Sequence, residues 1–106
     1  MFRKFAPWSA RISLNIELEI DLHIHELTDQ NYKLMSNAEI ILIQLSHLQV
    51  SIDKAIAGNY LKLIVIHGVG TGKLKQEVCK ILQQNKLKFY DASYAKYGFG
   101  ATEVSF

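Results

Sequence analysis

A single cysteine, Cys79, and a single proline, Pro7, occur among the 106 residues. One thiol excludes an internal disulfide and a thiolate metal cluster; a cytosolic or nuclear compartment fits, and a cytoplasmic location is expected. With one proline and six glycines, few positions break regular structure. No window reads as the ~20 apolar residues of a membrane span, so a soluble protein is expected. The basic start "MFRKFAPWSARIS" is interrupted by Pro7, Trp8, Ser9 and Arg11 before any apolar run of signal-peptide length. Charge of one sign is lacking too. Twelve Lys and Arg face ten Asp and Glu, for a net +2, which permits a nucleic-acid partner without requiring one. There is no internal repeat and no low-complexity segment. What is there is ordinary globular material, 49% hydrophobic and 21% charged, long enough for one domain with one modest core.

The strictest pattern runs from Ile12 to Ile24. Even positions are apolar and odd positions polar, which predicts a long strand with one face on the core; its first half is long enough to project as an arm. Glu26 to Met35 is polar and irregular. Ser36 followed by Glu39 forms a capping box ahead of apolar residues at helical spacing, from Ala38 to Ile56. Gly58 suits the left-handed residue beyond that helix. "LKLIVI", Leu61 to Ile66, predicts a strand buried on both faces. A second helix is expected from about Lys73 to Asn85, then strands in "LKFYDAS" and "ATEVSF". The order is β-α-β-α-β-β, an α/β fold in two layers with a mixed four-stranded sheet. Two successive βα units imply parallel pairing of the first two strands. That pairing brings His23 and His25 toward His67 at the strand C-termini, the edge where open α/β sheets hold ligands.

After the second strand comes "HGVGTGKLK", His67 to Lys75. A Walker loop needs G-x-x-x-x-G-K-[ST], but Gly68 and Gly72 have three residues between them and Leu74 follows Lys73. The dinucleotide fingerprint G-x-G-x-x-G fails as well, because Gly68, Gly70 and Gly72 close one residue early. General physics remains: glycines let the backbone approach an anion, amides at a helix start point toward it, and Lys73 and Lys75 add charge. The plain alternative is a tight turn whose glycines serve geometry alone.

Three segments now stand in order: "IDLHI" (Ile20 to Ile24), "HGVGTGKLK", and "GFGATEV" (Gly98 to Val104). Together they resemble the LDLHG, HGKGTG-x-LR and G-x-G-x-T motifs of the Smr domain, the small MutS-related module found at the C-terminus of some MutS-family proteins. The resemblance implies a fold similar to the C-terminal domain of translation initiation factor three. It implies residues 14–106 as the domain, with residues 1–13 an arm or a linker from a longer chain. It also implies nucleic acid, DNA or RNA, as partner, with no membrane, and an endonuclease (nicking) activity. Catalytic roles would fall on Asp21, His23 and His67. Phosphate contacts would fall on Gly68, Gly70, Thr71, Gly72, Lys73, Lys75, Gly98, Gly100 and Thr102. Ile24 stands where the family has glycine, Val69 where it has the loop lysine, and Lys75 where it has arginine. These departures leave cleavage open, and a non-catalytic protein-interaction module that keeps the Smr fold is the alternative.

Each residue also has a bland reading. Asp21 and His23, two apart on a polar strand face, can pair as carboxylate and general base or help hold a divalent metal such as Mg or Mn; they can equally be a solvated face. His25 is an extra imidazole that no motif requires. His67 can donate to a phosphate or simply cap the turn. Glu17 and Glu19 read as exposed, His47 as a surface residue, and Cys79 as packing. In "FYDASYAKYGFG" the aromatics and Lys96 can stack bases and hold backbone phosphate, or form local core.

Overall fold

The structure is a computed structural model that describes residues 16–29 and 31–106. The expected order is present, with short helical turns added. Strand β1 (Glu17–Asp21) leads through α1 (Ile24–Leu27) and a 3-10 turn at Tyr32–Leu34 to α2 (Asn37–Ala57). Then come β2 (Lys62–Ile66), α3 (Lys73–Gln84), β3 (Lys88–Asp91), α4 (Tyr94–Tyr97) and β4 (Ala101–Ser105). The sheet order is β1-β2-β4-β3. Strands β1 and β2 run parallel, while β4 pairs antiparallel with both β2 and β3. The sheet is mixed and four-stranded, as the sequence pattern predicts.

Strand β1 stops at Asp21, three residues short of the expected end. The cause is local. Asp21 Oδ1 accepts the His23 amide at 2.9 Å, an Asx-type bond that competes with the sheet ladder and turns the chain. His23 therefore becomes the N-cap of α1, and His25 lies inside that helix rather than on the strand. Ile24 takes an ordinary helical backbone, and no turn there depends on glycine. The part of the predicted strand at Ile12 to Asn15, and the proposed arm, fall outside the described residues.

The alternation in β1 places Leu18 and Ile20 toward α2 and α3, with Leu63 and Val65 of β2, Val104 of β4 and Phe89 of β3 on the same face. Leu48 and Ile52 from α2, and Val78 and Leu82 from α3, complete a core without solvent access. On the opposite face Ile64, Ala92 and Ala101 form a smaller cluster that Tyr97 of α4 covers. Strand β2 is thus buried on both faces.

Helix α2 starts with the predicted capping box: Ser36 Oγ accepts from the Glu39 amide at 3.1 Å, and Glu39 accepts from the Ser36 amide at 2.8 Å. At its other end Gly58 has φ −87°, and Asn59, not Gly58, takes the left-handed conformation at φ 58°. Contrary to the sequence expectation, this 21-residue helix is long and apolar enough to span a membrane by length and composition. Exposed Leu42, Val50 and Ile56 add that character to a helix whose Leu48, Ile52 and Ala55 pack in the core.

Two truncations on α2 test this placement. Leu48→Ala removes a fully buried side chain and should cost about 2–5 kcal/mol in denaturant unfolding. Leu42→Ala, at 66% exposure, should change stability by less than about 0.5 kcal/mol. Equal losses at the two positions would contradict the assignment of faces.

Candidate functional site

The site is assembled where β1 and β2 end side by side. Asp21 pairs with Ile66 across the sheet, and the Leu22 amide donates to the Ile66 carbonyl at 2.9 Å. Because the two strands are parallel, the turns that follow them meet. His23 comes from one turn and the glycine loop, Gly68 to Gly72, from the other.

His23 is held by Asp21 twice. The carboxylate accepts the His23 amide, and the same Oδ1 lies 2.6 Å from the ring Nδ1. Partial burial works to raise the Asp21 pKa, but the His23 amide and imidazole outweigh it and the net direction is downward. Asp21 is therefore ionised and accepts Nδ1–H, which leaves Nε2 of the neutral ring as a lone pair. No described residue hydrogen-bonds Nε2. It faces the backbone of Gly68, where a Cβ would lie 3.0 Å from it. Gly68 also has φ 75°, so crowding and conformation both require glycine there.

His67 is arranged differently. It is only 6% exposed and both ring nitrogens are engaged, Nδ1 with the Gly68 carbonyl at 2.7 Å and Nε2 with Thr102 Oγ1 at 3.0 Å. A carbonyl only accepts, so Nδ1 carries the proton and Thr102 donates to Nε2. Burial lowers the His67 pKa, the Gly68 hydrogen bond opposes this, and the Lys75 charge lowers it further. A buried neutral ring with both nitrogens committed positions the loop and has no group left for a substrate. In this structure His67 is placed as a support of the loop.

The third motif lies beneath the loop. The Gly100 carbonyl accepts both the His67 and the Gly68 amides at 2.9 Å. A Cβ on Gly100 would meet Gly68 Cα at 3.4 Å. Gly100 is buried and Thr102 is 1% exposed, so both lie beneath the loop and support it from below. Gly98, at φ 63°, caps α4.

Above this support the loop is open. Gly70 and Gly72 have positive φ, with space where a Cβ would be. The Gly72 amide donates to the Val69 carbonyl and the Lys73 amide to Thr71 Oγ1. Hydrogen bonds among the described residues leave the Gly70, Thr71 and Leu74 amides unengaged. Neither loop lysine is a lone cation, since Lys73 pairs with Glu77 at 3.3 Å and Lys75 with Asp91 at 3.1 Å. An open cleft of about 450 Å³ lies between the loop and the start of α2. Asn37 and Gln44 line it from the helix, and sequence reasoning singled out neither. Gln44 is buried and donates through Nε2 to the Leu22 carbonyl at 2.8 Å, which ties α2 to the His23 turn. Its signal was a lone amide within an apolar helical stripe.

The other candidates separate from this centre. His25 pairs with Glu26 at 3.3 Å, its ring 5.7 Å from that of His23. Glu19 accepts a hydrogen bond from Tyr97 Oη across the sheet. Cys79 is half-buried with its pKa raised by burial, as packing predicts. No group of three or more metal-ligating side chains forms among the described residues.

The profile of the Smr domain family matches residues 44–106, more than half of the chain. The chain belongs to the Smr domain family. It is similar to Endonuclease MutS2 of Streptococcus pneumoniae, with 39% identity over 64 residues in both the Taiwan19F-14 and the Hungary19A-6 strains. That similarity covers 58% of this chain and 8% of each relative. The matched region opens within α2, so it holds the glycine loop and its support. Asp21 and His23 lie before it, and the fold brings them to the Smr loop.

The buried His67 makes a pH prediction. In the unfolded chain an imidazole titrates near its ordinary value of 6.5, and in the folded Smr domain lower. The unfolded state thus takes up a proton first as pH falls. The His67 contribution to stability is fully present above about pH 6.5 and is lost as pH drops toward the lowered folded-state value. Urea midpoints measured from pH 7.5 to 5 should decline over that range, and His67→Asn should show a shallower decline from a lower starting point. An identical pH slope in the variant would contradict the burial of a neutral ring.

Proposed function

We propose that this Smr domain binds nucleic acid at the β1/β2 edge and that His23 is the general acid/base for cutting a phosphodiester there. One observation carries the reading: an imidazole oriented by an ionised carboxylate, with its lone pair aimed across the glycine loop. Nonbridging phosphate oxygens would accept from the free loop amides at the start of α3, where the helix dipole favours negative charge. His23 Nε2 would take the proton from the attacking oxygen as that oxygen bonds to phosphorus; the bond to the leaving oxygen breaks, and that oxygen takes a proton from solvent water. Asp21 would stabilise the imidazolium that forms, the role a buried or half-buried carboxylate plays beside a catalytic histidine. His67, Gly100 and Thr102 hold the loop in place. The endonuclease named among the relatives supports this chemistry, and the phosphodiester is common to DNA and RNA.

A second reading rests on specific residues too. Val69 is 64% exposed at the loop where the family motif has lysine, and Lys73 and Lys75 are already paired with carboxylates. Weak phosphate attraction of this kind suits a non-catalytic interaction module on the same fold.

Two variants separate these readings. His23→Ala should lower cleavage by roughly two to four orders of magnitude with affinity nearly intact, as loss of a general acid/base does. Cleavage equal to that of the His23→Ala control, with or without magnesium or manganese, would remove the enzymatic reading. Val69→Lys restores a cation at the loop. It should tighten binding and steepen the dependence of log affinity on log salt by about 0.9, one phosphate contact. An unchanged slope would show that phosphate does not pass over this loop.

A further inference from the structure

The surface beside the loop carries two aromatic rings that the core does not use. Tyr94 is 66% exposed and Phe99 64%. Their rings meet edge-on, with centroids 4.8 Å apart and planes at 61°. Neither belongs to the two hydrophobic clusters, whereas Tyr97, from the same helix, does. The pair is held together by backbone: the Gly98 amide donates to the Tyr94 carbonyl at 2.7 Å, and Gly98 turns the chain at φ 63°. Phe99 then precedes Gly100, whose carbonyl holds the His67 and Gly68 amides. The ring pair is thus joined, through the Gly100 carbonyl, to the Gly68 backbone that faces His23. Lys96, exposed on the same helix, lies 5.2 Å from the ring centroid of Tyr97 instead.

Two solvent-exposed aromatic rings in mutual contact, one of them adjacent to the Gly100 backbone that holds the start of the glycine loop, match the recognition of unpaired bases. Every base has a π-face that stacks on such rings. Continuous duplex keeps its bases stacked on one another and offers no face. We propose that Tyr94 and Phe99 form a base-stacking platform, so that the domain takes single-stranded or locally unpaired nucleic acid in preference to duplex. The platform rests on the nucleic-acid reading of the His23 edge.

Anisotropy titrations of the 106-residue chain test it, with three labelled probes of about a dozen nucleotides. The probes are a mixed-sequence single strand, its duplex, and an oligomer of abasic sites that keeps only the sugar-phosphate backbone. The single strand should bind tightest. Phe99→Ala and Tyr94→Ala should each weaken single-strand binding by roughly 5- to 150-fold, the loss of one stacked base. Neither change should alter affinity for the abasic oligomer or the salt slope, because no phosphate contact is removed. Phe99→Tyr keeps the ring and should bind like the unmodified chain. Equal affinity of the unmodified chain for the single strand and the abasic oligomer overturns the platform and leaves phosphate binding at the loop intact. Unchanged single-strand affinity in both alanine variants also overturns it, and leaves the rings as a protein-docking surface. Failure to bind any probe removes the platform together with the reading on which it rests.

Discussion

His67 must stay neutral and buried for the rest of the site to hold its shape. Its Nδ1–H satisfies the Gly68 carbonyl and its Nε2 takes the Thr102 hydroxyl, while the Gly100 carbonyl gathers the two amides at the start of the loop. A carbonyl or hydroxyl buried without a partner costs about 1–3 kcal/mol, so losing the imidazole would leave the polar groups on both sides unsatisfied. The loop is therefore anchored at its base and open at its tip. Glycines at positive φ turn the remaining amides outward, where tertiary structure asks nothing of them.

That anchoring divides two histidines of similar appearance into different roles. His67 follows a central strand, is covered, and has no free nitrogen. His23 follows an edge strand and is half-exposed, and Asp21 holds it by one nitrogen so that the other is free. The pairing needs both strands to end at the same place, which parallel β1 and β2 secure through the register of Asp21 with Ile66. The carboxylate that orients the ring also ends the strand, since Asp21 accepts the His23 amide. One side chain shapes the backbone and orients the imidazole together. Lys73 and Lys75, which look like phosphate ligands, are each paired with a carboxylate, Glu77 and Asp91.

Much of the architecture was legible because it rests on period and caps. The alternation around Leu18 and Ile20, the Ser36–Glu39 capping box and the continuous apolar run of β2 each name their element. The parallel pairing that brings His23 to the Gly68 loop follows from the βα order alone. The misreadings have local causes. Alternation persists through Leu22 and Ile24 although the strand has ended, because a side-chain bond from Asp21 carries no signal in hydropathy. The depth of His67 and Thr102 was hidden, since a polar residue at a strand end reads the same whether it faces solvent or lies beneath a loop. Gln44 was overlooked because its partner, the Leu22 carbonyl, lies on a distant segment. Tyr94 and Tyr97 sit in one short helix, yet one faces solvent and the other packs on the sheet, and composition does not distinguish them.

The central claim, that His23 and the open loop amides share one phosphodiester while His67 only supports them, is tested most directly by NMR. The ring nitrogens of the histidines and the loop amides would be followed in a labelled chain as a short oligonucleotide is added. The account predicts that His23 Nε2 and the Gly70, Thr71 and Leu74 amides shift together along one binding isotherm, with the His67 ring still and its Nδ1–H retained. Shifts of the His67 ring with His23 unmoved, or binding that leaves both the His23 ring and the loop amides unchanged, would contradict it.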